Sequence, residues 1–404
     1  MIKSILRYTA FSLRTLTNKK VRMVLAYEWK RYTIGYRTFV NAKDQKPNIN
    51  DHVTALYIAV EWLLRSQYYM IDYGFGSYRL GKNWTTSYPE TTGYIIETLI
   101  KYSHLKRENE IRNCCLRAAD WLLSIQKPSG GWQGETMEDN KDEVVFNTGQ
   151  IIRGLLSVYC ETEEEKYLDA AIKAGDWLVE IQEPEGMWIK NAFMGVARVY
   201  DSYVDVPLIH LSGFTKDDKY KNAAIKNLNW IVDHKQEKNG WFNDCDNTIK
   251  HNDKPILHTI CYTIDGLIEA GNLLNEPRYI QAGKKAADAL LSNYNQHSVL
   301  KGRFDKNWEG YEFPILTGYA QLAVVWMKLH HLYPENGYFK AAQSINNQLV
   351  WLQFDDARFG NINGGIAGTF PFWGKYEPFS FPNWASKYLV DSIMMELQIL
   401  KHTL

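Results

Sequence analysis

The chain has 404 residues, with 46 Lys plus Arg against 46 Asp plus Glu, so its formal net charge is zero. That balance supplies no long-range attraction for nucleic acid or for a strongly acidic surface. A 45% hydrophobic and 23% charged composition excludes a disordered chain and permits a large core.

In chain order, the first segment reads MIKSILRYTAFSLRTLTNKKVRM. Ile2, Ile5, Leu6, Phe11, Leu13 and Leu16 alternate with Lys3, Arg7, Arg14, Lys19, Lys20 and Arg22, which predicts a basic amphipathic helix. No small-residue cleavage site follows, so it does not read as a secretory signal. Residues 1–50 are expected to be a basic helical extension, packed outside the main domain or touching anionic lipid at the inner face of the membrane. No run of about 18 apolar residues exists to span a bilayer. The five cysteines (Cys114, Cys115, Cys160, Cys245 and Cys261) form no CxxC pair, which predicts reduced thiols and a cytoplasmic location.

Residues 51–404 repeat. AVEWLLRSQ (59–67), AADWLLSIQ (118–126) and AGDWLVEIQ (174–182) align without gaps, LNWIVDHKQ ends at Gln236, and degenerate copies follow at 286–295 and 344–353. A glycine-rich turn comes after each copy, often with an aromatic residue, as at Gly130-Gly131-Trp132 and Gly186-Met187-Trp188. Second helices are predicted to start near Thr91, Asn147, Val196, His258, Leu316 and Asn383. Their apolar residues recur every three or four positions, a helical rather than strand period. Units that bury one face on a neighbour must be capped or closed. The prediction is therefore all-α: an (α/α)6 toroid of six helical hairpins in two concentric layers, with strand confined to short pieces in the turns.

RAADWLLSIQKPSGGW (117–132) resembles the QW repeat of the terpenoid cyclase and protein prenyltransferase toroids. The wider pattern, with Asn147-Thr148-Gly149-Gln150, HTICYTIDGLIEAG (258–271), LTGYAQLA (316–323) and FPNWASKYLVDSIM (381–394), resembles two further groups. One is a toroid family of bacterial surface-polysaccharide loci; the other is the C-terminal domain of D-glucuronyl C5-epimerases. This resemblance implies a toroid around residues 50 to 400 that acts on carbohydrate. The acidic DxDD motif of squalene-type cyclases is absent, which leaves an isoprenoid-binding toroid as a minor alternative.

In such a ring the inner helix starts surround one cavity. Polar and aromatic residues gather at those starts: Trp84, Tyr88, Glu90 and Tyr94; Asn147 and Gln150; Arg198, Tyr200 and Asp201; His258, Tyr262 and Asp265; Tyr319; then Trp373, Asn383, Trp384 and Lys387. Aromatic faces stack on sugar rings while amides and carboxylates take their hydroxyls. If the sugar is a uronate, proton removal beside its carboxylate gives an epimerase or a lyase. His258 and Tyr262 are then the candidate base and acid, Arg198 the carboxylate clamp, and Glu90 and Asp201 the hydroxyl or proton partners. Two alternatives stand beside this: a glycoside hydrolase with a carboxylate pair such as Glu90 with Asp201 or Asp265, and a non-catalytic glycan-binding or polysaccharide-assembly factor.

Structural roles compete at several positions. Trp62, Trp121, Trp177 and Trp230 suit the core, and Gln126 and Gln182 suit staples between hairpins. His258 can be a cap or a buried hydrogen-bonded side chain, Asp201 and Asp205 can pair with Arg198, and Glu90 can serve as an N-terminal charge. Cys261 lies three residues from His258, one pair where zinc needs three or four ligands, so no metal is expected. No G-x-G-x-x-G or P-loop is present, so no nucleotide cofactor is expected either.

Overall fold

The computed structural model describes residues 18–402. Two helices, α1 (Lys19–Thr33) and α2 (Tyr36–Asn41), lead into six hairpins. These are α3 (Ile49–Tyr68) with α4 (Pro89–Lys106), α5 (Asn109–Ser124) with α6 (Val145–Thr162), and α7 (Glu165–Glu180) with α8 (Ser202–Thr215). The remaining three are α9 (Asp218–His234) with α10 (Leu257–Leu273), α11 (Pro277–His297) with α12 (Leu316–Leu332), and α13 (Tyr338–Leu352) with α14 (Asn383–Ile399). The even-numbered helices from α4 to α14 touch in sequence, and α14 touches α4, so the inner layer closes. Each inner helix also packs on the outer helix that follows it, and α14 packs on α3. This is the (α/α)6 toroid.

The two layers differ as their sequences require. α10 is buried continuously from Leu257 to Ile268, as a helix surrounded by others must be. α7 buries a stripe with Leu168, Ala171, Ala174, Trp177 and Leu178 and leaves its other face polar. The repeat tryptophans Trp62, Trp121, Trp177 and Trp230 are all core residues.

The repeat glutamine is a two-pronged staple. Gln182 donates from Nε2 to the carbonyl of Gly186 in its own turn at 2.7 Å and to that of Ala223 on the next outer helix at 2.8 Å. Gln126 does the same to Gly130 and Ala170, and Gln236 to Gly240 and Ala282. Gln353 in the last hairpin bonds Gly364 and returns to Ala55 in the first. The fifth hairpin has Tyr294 at the aligned position. There Gln348 of the following outer helix accepts from the Tyr294 hydroxyl and donates to the Ser298 carbonyl.

The glycines of the turns are backbone requirements. Gly130 has φ +109°, and a Cβ there would sit 2.3 Å from the Lys173 carbonyl oxygen. In the inner ring a Cβ on Gly154 would lie 2.2 Å from the Gly93 carbonyl oxygen, so these two residues let α4 and α6 approach closely. The preceding threonines tie the turns down: Thr92 Oγ1 accepts from Phe75 N–H at 3.0 Å, and Thr148 Oγ1 from Trp132 N–H at 3.1 Å.

Strand is limited to two-residue pieces among the described residues. β1 (Tyr78–Arg79) pairs antiparallel with both β2 (Asn83–Trp84) and β5 (Ser380–Phe381), while β3 (Arg303–Phe304) pairs with β4 (Gly310–Tyr311). The β1–β5 pair links the first and last hairpins, a second closure of the ring.

The helices before the ring are docked on its closing hairpin. Arg31 donates to the Leu352 carbonyl at 3.0 Å, and Glu28, buried and paired with Arg31 at 2.7 Å, accepts from Phe372 N–H. The part of the predicted basic helix before Asn18 lies outside the described residues. No described helix is long and apolar enough to cross a membrane. All five cysteines are free thiols.

Candidate active site

Inner helices run away from one face, so their N-terminal turns and the loops before them enclose a cavity of about 180 Å³. Tyr88, Glu90 and Tyr94 come from the start of α4, Phe146 and Asn147 from α6, His258 and Tyr262 from α10, and Trp384 from α14. Loops contribute Glu135, Phe193, Asn247, Tyr376 and Glu377, and the turn before α8 contributes Tyr200.

Glu90 follows Pro89 in the first turn of α4. A helix N-terminus favours the carboxylate, but burial outweighs it. The side chain keeps some accessible surface because it faces the cavity, yet protein surrounds it. Burial, reinforced by the Glu135 charge and opposed by a hydrogen bond with Tyr88, pushes its pKa up to about 8. It is therefore mostly a protonated acid at neutral pH. Glu135 is also raised, first by burial and then by Asp139 and Glu377, with Lys141 and Arg79 opposing. Glu135 and Glu377 both hold left-handed backbone, at φ 59° and 46°, a conformation non-glycine residues adopt at a cost.

His258 is 8% exposed, and burial drives its pKa down to about 4, so the ring is neutral. Its Nδ1 lies 2.7 Å from Gln321 Oε1 on α12. With that oxygen accepting, Nδ1 carries the proton and Nε2 is left as an acceptor. The Tyr262 ring stacks obliquely on His258 at 4.5 Å between centroids. Its hydroxyl lies near those of Tyr94 and Tyr388 but makes no hydrogen bond of normal geometry. The Trp384 indole donates to the Tyr376 hydroxyl at 2.9 Å, and Tyr88 meets Trp384 edge-on at 6.1 Å.

Below these tyrosines the ring interior turns ionic. Lys328 pairs with Asp265 at 2.6 Å and Glu269 at 3.0 Å, and Arg153 lies 3.5 Å from Glu269 and 3.7 Å from Glu97. Lys101 pairs with Glu97 at 2.8 Å and Lys387 with Asp391 at 2.7 Å. Arg153 also covers the Tyr203 ring at 4.4 Å. Four acids and four bases from inner helices thus fill the ring beneath the cavity.

Of the sequence-predicted residues, the structure gathers Tyr88, Glu90, Tyr94, Asn147, Tyr200, His258, Tyr262 and Trp384 around one space. The others occupy different surroundings. α8 begins at Ser202 rather than near Val196, so Arg198 lies in extended backbone before a 3-10 turn. Its guanidinium points behind the wall to the Asp246 carbonyl oxygen at 2.7 Å and does not reach the cavity as a clamp. Asp201 is buried beside it, its pKa pushed up to about 8 by burial against the opposing Arg198 charge. Gln150 is buried off the cavity with neither amide atom bonded. Asp265 and Lys387 belong to the ionic layer. Tyr319 bonds the backbone of Leu300, and Asn383 bonds the Phe75 carbonyl and Thr91. Trp84 packs on Trp62, and Trp373 on Trp29 and Tyr32.

Glu135, Glu377, Asn247 and Phe193 were not singled out from sequence. They stand in loops without periodicity, and the usable signal was only that every such loop opens on the cavity face. Among the described residues no group of three or more His, Cys, Asp or Glu could hold a metal ion.

Solved structures share this architecture at low identity. An unsaturated glucuronyl hydrolase specific for heparin is 14% identical with a TM-score of 0.69, over 88% of this chain and 99% of that one. An unsaturated glucuronyl hydrolase from Streptococcus agalactiae is 12% identical with a TM-score of 0.65, over 88% and 94%. A mutant of that streptococcal enzyme is seen in complex with dGlcA-GalNAc6S. An alpha-amylase from Clostridium perfringens is 12% identical with a TM-score of 0.61, over 84% and 97%. At these identities the likeness is one of fold. The family model of the squalene-hopene cyclase C-terminal domain matches residues 46–275, more than half of the sequence whose repeats build the ring. The chain belongs to the squalene-hopene cyclase C-terminal domain family.

Proposed function

We propose that the protein is a carbohydrate-active enzyme that hydrolyses a glycosidic bond, with Glu90 as general acid and Glu135 as the base that activates water. The observation that carries this reading is the placement of Glu90 on the wall of an aromatic cavity with Glu135 and Glu377 on the same wall, where burial favours the protonated form of Glu90. Glycoside hydrolysis needs two carboxyl groups with separated roles. Glu90 would give its proton to the leaving oxygen as the C–O bond breaks. Glu135 would take a proton from the water that adds at the anomeric carbon. Trp384, Tyr88 and Tyr200 offer faces for the sugar ring, and Asn147 and Asn247 offer amides for its hydroxyls. Proton abstraction from a uronate fits less well, because among the described residues the lining includes no arginine or lysine to hold the carboxylate.

The test is release of reducing ends from a panel of bacterial surface and exopolysaccharides. The wild-type protein should cleave at least one of them, and Glu90→Gln should lower that rate about 100-fold or more, the usual worth of a general acid. Undiminished cleavage by Glu90→Gln would remove Glu90 from the chemistry. Unsaturated products would point to a lyase instead.

A further inference from the structure

His258 has no part in the hydrolysis proposed above, yet its surroundings are specific. It stands on the cavity wall in the first turn of α10 and is 8% exposed. Its Nδ1 meets Gln321 Oε1 at 2.7 Å, across from α12. Gln321 is itself buried and is not among the lining residues, so that edge of the ring is turned into the wall. The other ring nitrogen, Nε2, makes no hydrogen bond with any described residue. Its edge is the one left to the cavity.

A ring nitrogen held in this way has a definite polarity. The Gln321 oxygen accepts, so the ring proton stays on Nδ1 and the lone pair on Nε2. Burial keeps the ring from taking a second proton, with its pKa down at about 4. Aromatic contacts fix the ring plane: Tyr262 lies at 4.5 Å between centroids and Tyr376 at 5.9 Å, edge-on. Tyr376 is in turn anchored by the Trp384 indole. Nε2 is therefore a fixed, neutral acceptor on the wall, and a buried acceptor left unpaired costs stability. A free hydroxyl of a saccharide can give it a proton. An ionised carboxylate or sulfate, an ether or an O-acyl group cannot.

We propose that His258 Nε2 accepts a hydrogen bond from a free hydroxyl of the sugar bound in the cavity, and that Gln321 is the positioning residue that keeps Nε2 unprotonated. This role rests on the saccharide reading above and sets a requirement on the substrate: the sugar must carry that hydroxyl unsubstituted. A sugar deoxygenated or acylated there would leave the acceptor unpaired. A site built around a hydroxyl discriminates strongly against an analogue that lacks it.

Two measurements test this. The first is nitrogen NMR of the full chain carrying isotope-labelled histidine, at pH 7 with no saccharide added. His258 should show a proton on Nδ1 and a bare Nε2, and Gln321→Leu should lose that preference. The second is steady-state kinetics on the polysaccharide of the panel above that the wild-type protein cleaves. His258→Phe keeps an aromatic ring without the acceptor and should raise KM about tenfold or more, with kcat changed far less. His258→Gln, whose Oε1 can stand near the place of Nε2, should recover most of that loss. A residue that only fills space would give the reverse order, since Phe suits an aromatic wall better than Gln. That reverse order, or equal KM in the two variants, overturns the role of His258. A proton on Nε2 in the wild-type protein overturns the direction of the bond and leaves the saccharide reading standing. A Gln321→Leu spectrum like that of the wild type overturns the role of Gln321. A fall in kcat with KM unchanged overturns the binding role by moving His258 into the chemistry. Absence of cleavage across the whole panel overturns the saccharide reading and this role together.

Discussion

Glu90 carries opposing influences in one side chain. Its place after Pro89, at the start of a helix, was readable from sequence and suggested a carboxylate that stabilises the helix. The closed ring reverses that reading, because burial favours the neutral acid by more than the helix end favours the charge. A pH profile follows with a definite sign. The working form has Glu90 protonated and Glu135 ionised, so kcat/KM should fall as pH rises through about 8, where Glu90 loses its proton. It should also fall at acid pH, at a value above the ordinary glutamate range, because Glu135 is raised. Activity that stays flat from neutral pH to well above 8 would contradict the assignment. Arg198 shows why single residues misled. Its role depended on a helix starting at Val196, and a few residues of extended backbone were enough to turn its side chain behind the cavity wall. Glu135 and Glu377 were invisible for another reason: a loop glutamate has no periodic neighbours to say which way it faces.

Helices and turns were the most legible parts, since each obeys a short rule repeated six times. Five of the six inner helices begin within two residues of their expected starts. The exception, α8, follows a 3-10 turn that the apolar pattern does not distinguish from the first turn of a helix. The staple glutamine was legible too, because its place at the end of an outer helix beside a glycine turn leaves two carbonyls in reach of one amide. Gln182→Ala removes both bonds and leaves the Gly186 and Ala223 carbonyls without that donor. We expect a loss of about 1–3 kcal/mol in unfolding free energy, measured by denaturant titration. A change within a few tenths of a kcal/mol would mean that water replaces the amide at no cost.

Across the whole molecule, acid and base are segregated by depth, with a carboxylate-rich, aromatic cavity above and a balanced ionic layer below. Sequence spacing shows Glu97 with Lys101 and Lys387 with Asp391 as neighbours one helical turn apart. It does not show the contacts of Lys328 and Arg153 with Asp265, Glu269 and Glu97, which cross between helices and form only once the ring has closed. Closure also makes the last hairpin equivalent to the others. Gln353 spans from the sixth hairpin to Ala55 in the first, so Gln353→Ala should cost as much as Gln182→Ala and leave a single cooperative unfolding transition. A separate early transition in that variant would show that the seam is weaker than the other joints.

An open solenoid can gain or lose a repeat at either end and remain a solenoid. A ring whose sixth staple finds its acceptor on the first hairpin has no end at which to add or remove one. The number of hairpins is therefore a fixed integer, and so is the diameter they enclose. Diversification of such a scaffold is confined to the rim, where segments between outer and inner helices can lengthen without disturbing a joint. Glu135, Phe193, Asn247, Tyr376 and Glu377 all ride on those segments, so a new substrate could be acquired there while the frame stayed unchanged.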